Sequence, residues 1–384
     1  MLMSKTAQIP LDLAQDTSAD TIMTKFNAGR YALIDLHVHL DGSLQADDIA
    51  VLAAMQNMHL PYDQEQLHSM MVCPEDCTSL TQYLKCFDLP ISVMQTHATI
   101  ACSVARLVER LDRLGMIYAE IRFAPQQHTM KGLTQEEVTQ AALEGLSLGL
   151  QKCSNGFKAN LILSCMRGAG NEKENTTTLH TARKFLHNGV CGLDLAGAES
   201  LYPTRAYAEL FAAARDLEVP FTIHAGEAAG VESMKLAIGY GARRIGHGIR
   251  AHADEEVKAL LRANDVCLCI CPSSNLQTKA LKEVTTFSQY PLRGFLDSGV
   301  AVCVNTDNMT VSDTTVKHEL QRLYDAGIIT EADARQMIEN AIAHAFIAED
   351  EKAGLRKKAV ERYSKTSSSS VQSDVPFTSD ENFR

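Results

Sequence analysis

The sequence predicts an α/β protein organised as a (β/α)8 TIM barrel with extra helices. Three observations carry that expectation. β-rich apolar runs alternate with helical patterns along most of the chain, the signature of a parallel sheet or barrel. There are eight such runs, beginning near Ala32, Met116, Ala159, Gly189, Pro220, Arg243, Val266 and Gly299. The residues able to carry chemistry fall where the runs end, and a barrel of this kind assembles its site at its strand C-termini. A doubly wound open sheet would gather its site at one switch point, and no Gly-x-Gly-x-x-Gly follows the first run to support it.

Residues 1–30 are expected to form an N-terminal arm. The first run then ends in Ile34-Asp35-Leu36-His37-Val38-His39-Leu40-Asp41-Gly42. Residues two apart in a strand point to the same side, so the His37 and His39 imidazoles project together and could grip one metal ion. Taken alone, such a pair can equally be two satisfied core histidines. The interval 45–115 reads as more than one helix and an insertion that helps cover the site. The fifth run, Phe221-Thr222-Ile223-His224-Ala225-Gly226-Glu227, ends in a histidine and a carboxylate. The sixth ends in His247 and the eighth in Asp307. Three histidines and one carboxylate are typical of catalytic rather than structural zinc, because a position remains for water. His247 and Glu227 are then left as proton-handling groups, and the fold expectation gains a metal site at the strand C-termini.

Outer helices are expected over 207–216, 231–238 and 254–262. Thr330-Glu331-Ala332-Asp333 reads as a helix start, a short capping side chain with an acid three residues on. That helix should run toward Phe346, with more helix to about Tyr363. The barrel unit is thus 31–363, and the Ser-rich stretch 364–384 is expected to be a disordered tail. Cys267, Cys269 and Cys271 alternate along the seventh run and share one face. A thiolate site is conceivable there, but small buried apolar residues are the commoner use of cysteine.

Bulk properties exclude several classes. With 384 residues, 45% of them hydrophobic, the chain can bury a large core. A net charge of -11 and the lack of a long basic run argue against a nucleic-acid partner. No stretch approaches the roughly 20 apolar residues of a membrane span. The N-terminus lacks a basic segment followed by an apolar core, so secretion is not expected. Eleven cysteines, an odd number in a large core-forming chain, fit free thiols in a reducing cytoplasm. The oligomeric state is not encoded in any pattern of this kind.

Six motifs in order and spacing resemble the adenosine deaminase family: His37-Val38-His39-Leu40-Asp41-Gly42-Ser43, Asp194-Leu195-Ala196-Gly197, His224-Ala225-Gly226-Glu227, Arg244-Ile245-Gly246-His247-Gly248, Cys271-Pro272-Ser273-Ser274-Asn275 and Asn305-Thr306-Asp307. The likeness covers nearly the whole chain, from Leu33 to Phe346. It implies that His37, His39, His224 and Asp307 hold one Zn2+, with water completing the site. It implies that His247 orients that water and stabilises its deprotonated form, while Glu227 protonates purine N1 as C6 is attacked. Gly197 would approach purine N3 through its backbone, Asp41 would bind the ribose 5′-hydroxyl, and Asp194 would orient a ligand histidine. The implied partner is a small-molecule purine nucleoside, adenosine or 2′-deoxyadenosine.

Two departures from the family pattern stand out. Asn308 occupies a position where many members carry a second aspartate facing purine N7. N7 is an acceptor, and an amide can donate to it without any pKa shift. Ala198 follows Gly197 where an acid is frequent. Arg167 reads as a structural ion-pairing residue. Related deaminases act on adenine, a futalosine-type nucleoside or N6-substituted AMP; Asp41 favours a neutral 5′-hydroxyl over a 5′-phosphate. A binuclear hydrolase on the same barrel usually needs a carboxylated lysine at the fourth strand, and 191–199 contains none. A barrel retained only for binding would not need every ligand, the acid and the base.

Overall fold

Eight parallel strands surround one core in a computed structural model that describes residues 26–368. β1 (Leu33–His39), β2 (Met116–Phe123), β3 (Lys158–Met166) and β4 (Val190–Ala196) pair in that order. β5 (Thr222–Ala225), β6 (Arg244–His247), β7 (Cys267–Ile270) and β8 (Val302–Val304) form the second sheet. Bridges between Leu193 and Phe221 and between Val38 and Asp307 join the two sheets at both edges and close the barrel. Across the second seam, His39 N–H donates to Asp307 O at 2.8 Å. The closure of the barrel therefore brings the first and last strand ends, with their candidate ligands, into contact. β2 and β4 are buried at every residue, as strands covered on both faces must be.

The expected outer helices are Ala208–Asp216, Val231–Tyr240 and Glu255–Ala263. Thr330 caps the helix Glu331–His344: its Oγ1 accepts from Asp333 N–H at 3.2 Å, and the Asp333 carboxylate accepts from Thr330 N–H at 2.8 Å. This helix stops before Phe346 because Ala345 turns extended and Phe346 is used elsewhere. Its N–H donates to Glu120 Oε1 at 2.6 Å, and its ring lies 3.7 Å from the Arg244 guanidinium carbon. Arg244 is paired with Glu120, which also accepts from Tyr118 Oη at 3.1 Å. This buried group plugs the barrel at the end away from the histidines.

A further helix, Glu349–Ser368, runs past Tyr363. Residues 26–30 pack against the barrel, with Phe26 stacked on Tyr324 at 4.1 Å. The rest of the expected arm, 1–25, and residues 369–384 of the expected tail lie outside the described residues. Within the insertion lie the helices Ala46–Met55, Gln64–Met71, Leu80–Tyr83, Asp88–Val93 and His97–Arg113. A small apolar cluster of Cys73, Cys77, Tyr83, Cys86 and Phe87 packs the insertion onto Val311, beyond β8. All eleven cysteines are free. Cys267, Cys269 and Cys271 are buried in the barrel wall, where Cys269 Sγ lies 3.7 Å from Cys303 Sγ.

Candidate metal centre and substrate cavity

His224 leaves the end of β5 at the centre of the site. Its Nδ1 lies 3.1 Å from Asp194 Oδ1. A carboxylate can only accept, so Nδ1 carries the hydrogen and Nε2 presents a bare lone pair. That lone pair faces His37 Nε2 at 2.9 Å and His39 Nε2 at 3.3 Å. Asp307 Oδ1 lies 3.5 Å from His37 Nε2 and 3.3 Å from His39 Nε2. Three imidazole nitrogens and a carboxylate oxygen thus converge around one bare lone pair, each within 3.5 Å of a neighbour. The donor set therefore fits a divalent metal.

Proximity alone admits one more candidate. Donor atoms of His37, His224, His247 and Asp307 lie within 4.8 Å of one another, which would put His247 in the set. Hydrogen bonding separates His247 from His39. Tyr290 Oη donates to Asn275 Oδ1 at 2.8 Å, and the Asn275 amide donates to His247 Nδ1 at 3.0 Å. The neutral His247 ring then carries its hydrogen on Nε2, directed at Glu227 Oε2 3.6 Å away. An N–H is not a ligand, so His247 faces the cavity as a donor while His39 completes the acceptor set. No other group of three or more His, Cys, Asp or Glu side chains converges in this way among the described residues.

Burial sets the charges. It holds His37 well below the ordinary histidine range, lowers His39 to about 3 and lowers His247 to about 4. Neutral imidazoles keep the lone pairs that a metal needs. Glu227 responds in the opposite sense: burial, then the nearby Asp307 and Glu199 charges, push its carboxyl well above the usual range. Its Oε1 is buried without a hydrogen-bond partner among the described residues. Burial and the neighbouring carboxylates thus favour the protonated form of the carboxyl that faces the cavity.

The remaining sequence candidates converge on the same cavity. Asp41, Gly197, Asn308, His39, His224, Glu227, His247 and Asp307 all line it. Burial raises the Asp41 carboxyl to about 6, and it accepts from Gly42 N–H at 3.1 Å. Gly197 follows β4 with φ +106°, a conformation open to glycine and strained for other residues. His37 and Asp194 lie behind the wall, acting on the cavity through what they hold. Gly246 lets His37 in: a Cβ there would sit 2.5 Å from His37 Cε1.

Several residues at the site had no assigned role in the sequence. Arg122 on β2 is fully buried, 3.2 Å from Asp194 Oδ2, and so fixes the carboxylate that fixes His224. Ser274 Oγ donates to Asp307 Oδ2 at 2.6 Å. Tyr83, from the insertion, accepts from Asn308 Nδ2 at 3.0 Å. Glu199 binds the loop that carries Glu227. The Cys271–Asn275 motif marked Ser274 and Asn275, but their partners come from other strands. Arg167 differs from the ion-pairing expectation. Its guanidinium donates to Tyr202 O at 2.7 Å, Thr204 Oγ1 at 3.1 Å and His224 O at 2.6 Å, bracing the backbone at the end of β5.

A closed eight-stranded barrel with a buried His/His/His/Asp group at its strand C-termini is an arrangement that could hold a metal ion beside a cavity. A family model described as adenosine deaminase matches residues 32–362. The adenosine deaminase of Haemophilus ducreyi is 45% identical over 338 residues, spanning 87% of this chain and 97% of that protein. The adenosine deaminase of Enterococcus faecalis is 38% identical over 330 residues, spanning 86% and 96%. In structure, the adenine deaminase of Arthrobacter aurescens superposes with a TM-score of 0.77 at 26% identity, covering 87% of this chain and 99% of that one. The chain belongs to the adenosine deaminase family.

Proposed function

We propose that this protein is a zinc-dependent adenosine deaminase, converting adenosine and 2′-deoxyadenosine with water to inosine and 2′-deoxyinosine plus ammonia. The observation that carries the reading is the buried Glu227 carboxyl facing the cavity beside the convergent His37, His39, His224 and Asp307 side chains. His37, His39, His224 and Asp307 would hold zinc, whose Lewis acidity supplies a hydroxide-strength nucleophile at neutral pH. His247 Nε2–H donates to the attacking oxygen and keeps it aimed at C6. Glu227 gives its proton to purine N1, so the ring accepts electron density as the new C6–O bond forms. The Glu227 carboxylate then takes the proton of the new C6 hydroxyl and passes it to the amino group, and the C6–N bond breaks to release ammonia as C6=O forms. Gly197 offers its backbone N–H toward N3, and Asn308 offers an amide hydrogen to N7.

Asp41 selects among purine substrates. Its carboxylate accepts from a ribose 5′-hydroxyl and repels a 5′-phosphate at close range. Identity to named adenosine deaminases is higher than to the adenine deaminase, which supports the nucleoside. A binuclear site is disfavoured because the inward residue of β4 is Asp194, already committed to His224 and Arg122. The eleven free thiols support a reducing, cytoplasmic location. No helix among the described residues is long and apolar enough to cross a membrane.

The test is a pair of variants. Glu227→Gln keeps its zinc and loses about 10²–10⁴-fold in kcat, the range for a general acid. His37→Ala loses zinc on dialysis, read by elemental analysis. Full zinc in His37→Ala, or unchanged kcat in Glu227→Gln, refutes the respective role.

A further inference from the structure

Glu199 is 1% exposed and stands two residues beyond Gly197, on the far side of the Glu227 loop from the cavity. Its Oε1 accepts from Gly226 N–H at 2.8 Å and from Ser233 Oγ at 2.6 Å. Its Oε2 accepts from the N–H groups of Glu227 at 3.1 Å, Ala228 at 2.7 Å and Ala229 at 2.9 Å. One carboxylate therefore gathers four successive backbone donors, a concave nest that suits a single anion. We infer that Glu199 is a positioning residue for Glu227: by holding residues 226–229 in this curl, it directs the Glu227 side chain into the cavity opposite His247.

Other supports of the loop act on its carbonyls rather than its N–H groups. Arg250 Nε donates to Glu227 O at 2.8 Å, and Arg250 N–H donates to Gly226 O at 3.1 Å. Loss of the carboxylate would leave four inward N–H groups without their acceptor, and the loop would turn to find water. A second contact network ties Glu199 to the metal side. Ser233 Oγ lies 2.6 Å from Thr204 Oγ1, Thr204 is held by Arg167, and Arg167 donates to His224 O. The acid and the central metal ligand are thus set by one buried framework. The neighbouring position, Ala198, carries no carboxylate, so this task falls to Glu199 alone in that segment.

The inference rests on the deaminase reading for its kinetic arm only. In Glu199→Gln, kcat for adenosine is expected to fall about 100-fold with KM within about threefold and zinc content unchanged, because the lost function is that of the acid. Adding Glu227→Gln should cost nothing beyond Glu227→Gln alone, since coupled residues are not additive. Ser233→Ala, which removes one donor and keeps the carboxylate, should lower kcat less than Glu199→Gln does, and Glu199→Asp should lie between Glu199→Gln and the wild type. Wild-type kcat in Glu199→Gln, or multiplied losses in the double variant, overturns the inference. Amide hydrogen exchange at 226–229 tests it without turnover: slow in the wild type, fast in Glu199→Gln or, should that variant not fold, in Glu199→Asp. Equal protection in variant and wild type also overturns it. Wild-type protein inert toward adenosine, but with this exchange difference, would refute the substrate and leave Glu199's role standing.

Discussion

Asn308 lines the cavity and donates one amide hydrogen to Tyr83 Oη at 3.0 Å; in the proposed reaction the other hydrogen would be offered to purine N7. An aspartate placed there would be buried beside Asp307, and both burial and the like charge would raise its pKa and keep it protonated. It could then donate as the amide does. We therefore expect Asn308→Asp to keep kcat/KM for adenosine within about tenfold of the wild type, near the worth of one hydrogen bond. A loss of several thousandfold in the same assay would show that a neutral amide is required. At this scale the convergence of candidate residues was legible wherever they stood at a strand end. His37 and His39 announce themselves by period-two spacing, and His224, Glu227, His247 and Asp307 by closing apolar runs. Arg122, Glu199 and Tyr83 were not legible. Each acts through a partner distant in sequence, and four of Glu199's five contacts are to backbone N–H groups that no residue pattern encodes.

Among the elements, six strand starts were read to within one residue, because apolar runs bounded by Gly, Pro and charged residues mark strands clearly, while β5 and β8 began two and three residues later than expected. The helix Glu331–His344 ends early because Phe346 is drawn to Glu120, a long-range contact that local propensity cannot show. The insertion was visible only as an interval, and its attachment depends on contacts such as His128. This residue ends the short turn Pro125–His128 after β2 and donates from Nδ1 to Met94 O at 2.9 Å, at the end of an insertion helix. Its Nε2 is buried without a hydrogen-bond partner among the described residues, and burial lowers its pKa to about 4. The folded state therefore resists protonation that the unfolded chain accepts near pH 6.5. The stabilisation is complete above that pH and is lost as the pH falls toward 4. Between pH 7 and pH 5 the loss from this one group is about 2 kcal/mol. Urea unfolding of wild type and His128→Gln at the two pH values should show a shallower acid loss in the variant by about that amount. Identical slopes would show that His128 does not titrate differently on folding.

For the whole molecule, the barrel separates stability from chemistry by placing them at opposite ends. The Glu120–Arg244 pair with Tyr118 and Phe346 closes one end, while the histidines and Asp307 meet at the other. Breaking a fully buried pair leaves a charge without compensation, at about 3–5 kcal/mol. Arg244→Leu should lose stability of that order in urea while the folded fraction retains near-normal kcat at low temperature. A selective loss of kcat with unchanged stability would place Arg244 in the site instead. The eight-strand count and the location of the site were legible because regular alternation and strand-end chemistry extend along the chain. The barrel's two narrow seams were not, since each depends on a single bridge between strands from different halves.

The most direct test is the absorbance of purified, zinc-loaded protein mixed with adenosine, and in parallel with adenine and AMP. Adenosine should convert rapidly to inosine, with adenine and AMP left unchanged because Asp41 would serve a free 5′-hydroxyl. Turnover of adenine or AMP without adenosine would contradict the role of Asp41. Silence toward all three would contradict the deaminase reading itself.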